Sequence, residues 1–169
     1  MSAQMKLPMP QREVMFEALV PARLDEVLQI ESDSYTFPWS RQNFIDSMDA
    51  GYAIQLLVAP APGNDGDSSS PILGYFVAMR GADEVHLLNL TVAPAYRHQG
   101  WAVLLLEGLM LWARRDRAQW LWLEVRGSNL RAQQIYSRYG FACVGIRKNY
   151  YPAEDNQRED ALIMSLALT

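Results

Sequence analysis

Apolar side chains recur along this chain in two rhythms, and the switches between them mark out its elements. The clearest period-two stretch is Gln119 to Arg126. Leu121, Leu123 and Val125 fall on one face there, with Trp120, Trp122, Glu124 and Arg126 on the other, the signature of a strand with two unlike sides. Further strands are predicted over Glu13 to Val20, Tyr52 to Ala59, Ile72 to Met79, Val85 to Val92, Phe141 to Arg147 and Ala161 to Leu168. Helical spacing takes over between them. Pro21 opens a helix carrying Leu24, Val27, Leu28 and Glu31, and Phe37-Pro38-Trp39 breaks it. Ser40 is placed to cap a second, short helix through Met48. Gln99 or Gly100 begins a long helix to Arg115, with Arg114 and Arg115 at its negative end. Ser128 or Asn129 caps another through Tyr139, with Gly140 just beyond its last turn.

The segment Pro60 to Pro71 is dense in turn formers and holds no apolar side chain larger than alanine. It reads as a mobile hairpin loop without a catalytic role. No repeat and no domain linker appears, so residues 1–169 are expected to form one α+β domain. Half of the residues are hydrophobic, enough for a substantial core in a chain of this length. The net charge of -4 disfavours a nucleic-acid partner and mildly favours a basic one, although surface acidity also serves solubility. Cys143 is the only cysteine, which excludes an intrachain disulfide and suits a reducing compartment. Met1 to Pro10 lacks a signal-peptide core. The apolar stretch Trp101 to Ala113 is interrupted by Glu107 and Gly108, and is shorter than the roughly 20 residues of a membrane span. A soluble, cytoplasmic protein with no membrane partner is expected.

Two segments carry candidate chemistry. The first is Leu90-Thr91-Val92 through Ala102, where a strand ends and Arg97-His98-Gln99-Gly100-Trp101-Ala102 leads into the long helix. Amides at a helix N-terminus lack partners within the helix and favour anions. Gly100 removes the side chain that would block a phosphate, and Arg97 adds a cation. The alternative is an ordinary glycine turn before a helix. It is not a Walker loop, for no Gly-Lys-Ser/Thr follows. The second segment is Trp122 through Asn129, continuing to Tyr136, Gly140 and Phe141. Glu124 shares its strand face with Trp120 and Trp122, and two indoles rarely line open water. That face should be covered or line a cleft, and a partly desolvated carboxylate is the better proton acceptor near neutrality. Tyr136, taken alone, reads as a core tyrosine on an amphipathic helix. His86 reads as structural, His98 as near the phosphate or facing solvent, and Asp155, Glu159 and Asp160 as a solvated loop with no metal-ligand pattern.

Taken together, Phe37-Pro38-Trp39-Ser40, the Arg97–Ala102 loop, Leu123-Glu124-Val125-Arg126, Ser128-Asn129, Tyr136, Gly140-Phe141, Asn149-Tyr150-Tyr151-Pro152 and Arg158-Glu159-Asp160 resemble the RimI-like ribosomal-protein-alanine acetyltransferases of the GNAT superfamily. The resemblance spans Phe37 to Leu166. The loop marks only the superfamily; the Asn-Tyr-Tyr-Pro and Arg-Glu-Asp segments mark the subgroup. Three departures stand out: Ala102 where a second glycine is common, a bulky Trp101, and the Pro60–Pro71 insertion. The resemblance implies a central, mostly antiparallel mixed sheet flanked by helices, with acetyl-CoA as co-substrate and no metal. It implies that the backbone of Leu90, Thr91 and Val92 meets the pantetheine arm and that Arg97, His98, Gln99, Gly100, Trp101 and Ala102 hold the pyrophosphate. Asn129 would contact the coenzyme, Glu124 would act as general base, and Tyr136 would act as general acid. The implied partner is a protein N-terminus, an alanine of a small-subunit ribosomal protein, acetylated by direct transfer in a ternary complex. A lysine or small-amine acetyltransferase and a non-catalytic acetyl-CoA-binding module are the competing readings. The presence of both Glu124 and Tyr136 speaks against the module.

Overall fold

A computed structural model of the chain describes residues 13–60 and 70–168. Seven strands form one sheet: β1 (Met15–Ala18), β2 (Ala53–Val58), β3 (Ile72–Arg80), β4 (Glu84–Val92), β5 (Trp120–Arg126), β6 (Ala142–Pro152) and β7 (Arg158–Ala167). Their order across the sheet is β1-β2-β3-β4-β5-β7-β6, and every neighbouring pair is antiparallel except β4 and β5. Among the described residues four α-helices flank it: α1 (Leu24–Ser34), α2 (Arg41–Asp49), α3 (Trp101–Arg115) and α4 (Leu130–Tyr139). The expected hairpin loop lies outside the described residues over 61–69. Its two ends are tied together by the Ala59 N–H, which donates to the Pro71 carbonyl at 3.1 Å.

Local sequence accounts for the helix ends. Ser40 accepts from the Asn43 amide at 3.2 Å while Asn43 Oδ1 accepts from the Ser40 amide at 2.8 Å, a reciprocal cap that starts α2 directly after the Phe37–Trp39 break. Along α3, Trp101, Leu105, Leu106, Leu109 and Ala113 turn one stripe into the core and are essentially unexposed. Each large apolar side chain so buried contributes about 1.5–3 kcal/mol. Gly108 lies within that continuous helix, where a Cβ would meet the Phe16 ring of β1 at 2.4 Å, so glycine is what lets α3 pack against β1.

Two apolar layers form, one on each side of the sheet. Beneath α3 and α4 lie Phe76, Leu87, Leu121, Leu123, Val125 and Met164, while α1 and α2 cover Ile54, Leu56, Val58, Ile72, Tyr75 and Val77 of β2 and β3. The helices on this second side therefore reach only half the sheet, and the Trp122–Glu124 face of β5 is left to line a groove. The last hairpin differs from expectation. Its strands run to Pro152 and from Arg158, so Asn149-Tyr150-Tyr151-Pro152 and Glu159-Asp160 lie in strands and not in a solvated loop. Between Arg147 and Tyr151 the register slips, with Asn149 at a positive φ of 52° and its amide donating to Asp160 Oδ1 at 2.9 Å. That bulge breaks the alternation by which a strand is read.

Candidate active site

The one parallel pair among the described strands borders the cleft. Glu84 to Leu87 of β4 run beside Trp120 to Leu123 of β5, and there the pairing stops. Opposite β3, Val77 faces Asn89 and Ala78 faces Leu87, so Leu88 is an extra residue at a bulge. Bulges bend a strand and re-aim its neighbours. Beyond this point β4 and β5 part, leaving the outer backbone edge of Leu88 to Val92 without a strand beside it. A cavity of about 160 Å³ occupies the fork, with Glu31, Tyr35, Trp39, Asn89 and Leu90 on one wall and Glu124, Asn129, Tyr136 and Tyr151 on the other. A larger groove of about 610 Å³ adjoins it, bounded by Trp39, Glu84, His86, Trp122, Glu124 and Tyr150.

Glu124 and Tyr136 both reach the smaller cavity. The Glu124 carboxylate pairs with the Arg147 guanidinium at 3.1 Å, a partner that strand alternation gives no hint of. Tyr136 is almost fully buried, and burial, aided by the nearby Tyr35 and Tyr151, pushes its phenol far above the ordinary range. It therefore keeps its proton at neutral pH. Tyr151 donates to the Glu124 carbonyl at 3.2 Å and lies against the Arg126 guanidinium, 4.5 Å from its ring centre; burial and then Glu124 push its phenol up to about 12. The bulge in β6 is what brings Tyr150 and Tyr151 over the cleft.

Glu159 and Asp160 prove to be tied acceptors. Glu159 receives Arg126 at 2.7 Å and the Ser128 amide at 3.0 Å. Burial acts to raise its carboxyl, but the hydrogen bonds from Ser128 and Arg126 outweigh this and hold it below the usual range. The expectation for the tryptophans holds in part: Trp122 lines the groove, whereas Trp120 is 43% exposed at the open end of β5. His86 lines the same groove and pairs with Glu84 at 2.9 Å.

The opposite wall holds a group that the sequence reading passed over. Glu31 of α1 is 1% exposed. It accepts from the Trp39 amide at 2.9 Å, from Asn89 Nδ2 at 3.1 Å and from the Tyr75 hydroxyl. Its place in the Leu24, Val27, Leu28, Glu31 series was the available signal: a carboxylate on an apolar stripe. Thr91 is buried beside it, so its side chain serves this network while its backbone stays on β4.

The loop expected to hold phosphate is more local. Gly100 precedes α3 at a φ of 88°, a left-handed backbone that suits glycine. Arg97, His98 and Gln99 are exposed, and His98 also has a positive φ of 63°. Trp101 does not crowd the loop. Its indole is buried in the core and donates to Gln99 Oε1 at 3.2 Å, leaving only its amide at the helix mouth. Asn129 caps α4 by accepting from the Ala132 amide at 3.1 Å, so its amide nitrogen is the group left for a ligand.

The sequence pattern of the Acetyltransferase (GNAT) family matches residues 24–141. The [ribosomal protein bS18]-alanine N-acetyltransferase of Haemophilus ducreyi is 35% identical over 91% of this chain and 100% of its own length. The chain belongs to the GNAT acetyltransferases, within the bS18-alanine branch. The Escherichia coli K12 protein of the same name is 34% identical over 86% of this chain and 92% of its own. The crystal structure of the Escherichia coli ribosomal-protein-S18-alanine N-acetyltransferase superposes with a TM-score of 0.78, at 32% identity over 93% of this chain and 95% of that one. Arabidopsis thaliana NAA60, at 20% identity and a TM-score of 0.79, shares the fold. Ala102 is the second residue of α3 and is half-buried.

Proposed function

We propose that this protein transfers the acetyl group of acetyl-CoA to the N-terminal alanine of a bS18-type ribosomal protein. The observation that carries the reading is the meeting of Glu124 and Tyr136 in one cavity at the strand fork, in a chain related over nearly its whole length to bS18-alanine acetyltransferases.

The residues fit acetyl-CoA. Exposed Arg97 and the amides at the mouth of α3 suit its pyrophosphate, and the outer edge of Leu90, Thr91 and Val92 offers backbone groups to an extended amide-bearing arm. Acetyl-CoA supplies an activated thioester carbonyl. Glu124 takes the proton of the incoming amine, directly or through a water, and backbone amides of β4 favour negative charge developing on the carbonyl oxygen. Tyr136, kept protonated by burial, gives its proton to the departing thiolate. Transfer is direct: Cys143 is exposed on β6, outside the residues of either cavity.

An α-amine suits this apparatus. With a pKa of about 7.7–8.0, roughly a tenth is neutral at pH 7, against on the order of 0.04% for lysine. One carboxylate base is adequate for the first case and weak for the second. The test is a peptide pair sharing one internal lysine, with the N-terminal alanine free or blocked. Mass spectrometry should find acetyl on the free N-terminus and almost none on the blocked peptide. Equal lysine modification in both would defeat the reading in favour of a lysine acetyltransferase.

A further inference from the structure

The wall that faces Glu124 and Tyr136 is organised around one buried carboxylate. Three donors from three places converge on Glu31: the Trp39 amide of the α1–α2 connection, the Tyr75 hydroxyl of β3 and Asn89 Nδ2 of β4. A carboxylate only accepts, so its demand fixes every bond behind it. Asn89 must turn its amide nitrogen to Glu31 and its oxygen to Thr91. Thr91 then donates to Asn89 Oδ1 at 2.8 Å and receives at 2.8 Å from the Tyr35 hydroxyl, whose proton is shared with the Leu90 carbonyl at 3.3 Å. Tyr35 caps the end of α1 and its amide donates to the Glu31 carbonyl at 3.2 Å, so the circuit closes. Burial and then the adjacent Glu31 charge push the Tyr75 phenol far up, which keeps its proton available for donation.

This circuit holds what the sheet does not. Past Leu87, β4 has no partner on its β5 side. The Tyr35–Ser40 connection has no regular secondary structure, yet its Trp39 lines both the fork and the adjoining groove. We propose that Glu31 is a positioning residue for acetyl transfer: by orienting every donor in the Tyr35–Thr91–Asn89 chain and anchoring Trp39, it sets the β4 wall against the Glu124 and Tyr136 wall. This rests on the assignment of the fork as the reaction site. It does not depend on which amine enters.

The polarity of the chain makes it testable. Glu31→Gln keeps an oxygen for the Trp39 amide but presents an NH2 to Asn89 Nδ2, donor against donor. Adding Asn89→Asp restores the match: the glutamine NH2 donates to the new carboxylate, whose other oxygen still receives Thr91. The Tyr75 oxygen can then accept. Steady-state rates are measured on folded protein, well below each variant's melting temperature, with whichever amine the wild type acetylates. For Glu31→Gln, kcat/KM for that amine should fall at least about tenfold, mainly through kcat, with acetyl-CoA Kd within about threefold of wild type. The Glu31→Gln/Asn89→Asp pair should recover most of that loss. A folded Glu31→Gln with wild-type kcat, a lowered melting temperature alone, or a folded double variant no better than the single one would overturn the proposal. Should Glu31→Gln not fold, Thr91→Val cuts the same chain at its middle. It must then lower kcat in folded protein for the proposal to stand. Wild-type enzyme that ignores a free N-terminal alanine but acetylates another amine would defeat the assigned substrate and leave this test intact.

Discussion

At the proposed phosphate end of the cleft, the groups offered to a ligand are amides and one arginine from the continuous stretch Arg97 to Ala102. The amine end instead gathers side chains spread from Glu31 to Tyr151. The first is built of backbone, so it tolerates any side chain that neither fills the helix mouth nor opposes an anion. The second depends on the identity of each residue, because a carboxylate, a buried phenol and a guanidinium must meet from separate elements. The difference predicts unequal responses to substitution.

The largest response should come from the amine end. Glu124→Gln should lower kcat/KM by about 10²–10⁴, the usual contribution of a general base, while acetyl-CoA binding by calorimetry is kept. Near-wild-type turnover would move the base elsewhere and dissolve the contrast. Next comes Tyr136→Phe, expected to lower kcat about a hundredfold with acetyl-CoA affinity retained. Burial raises this phenol, which favours its protonated form. The alkaline limb of the wild-type kcat profile should therefore lie above the ordinary tyrosine value of about 10, not at it.

At the phosphate end, Gly100→Glu should weaken acetyl-CoA binding at least about tenfold, or about 1.4 kcal/mol. Gly100→Ala separates strain at φ 88° from charge, and should weaken binding less. Equal affinity for folded Gly100→Glu and wild type would remove the phosphate assignment. The smallest effect belongs to Glu159→Gln, which should cost about 1 kcal/mol of stability at pH 7 through weakened bonds to Arg126 and Ser128. Since the folded carboxyl is held low, that contribution is complete above the unfolded value of about 4.3 and fades as pH falls through the lower folded value. Denaturant melts of the two proteins should converge in acid. A gap that persists unchanged there would mean the carboxylate charge is not what Glu159 provides.

The same contrast explains what could be read from the chain. Gly100, Arg97 and the capped starts at Ser40 and Asn129 are local signals, each needing only its neighbours to be interpreted. Strand alternation likewise placed Leu121, Leu123 and Val125 inward and Glu124 outward, and the structure agrees. Alternation failed at Lys148 to Tyr150 because the bulge puts several residues of β6 against one of β7. The Arg147–Glu124 pair was hidden for a different reason: its partners are joined only by strand pairing through β7. Glu31 was visible as a carboxylate in an apolar series, but its meaning required knowing that Asn89, Tyr75 and Trp39 converge on it.

The parting of β4 and β5 has a consequence for folding equilibria. A strand edge of β4 opens into the interior of the molecule, and a ligand arm laid along it would act as an additional strand. Acetyl-CoA bound there would belong to the thermodynamic definition of the native state as much as to the reaction. By mass action, a ligand at a hundred times its Kd adds about 2.7 kcal/mol to unfolding, a large share of the stability of a domain this size. The small unfolded population of this enzyme would shrink about a hundredfold as acetyl-CoA rises to that level, coupling the lifetime of the catalyst to the abundance of the acetyl donor.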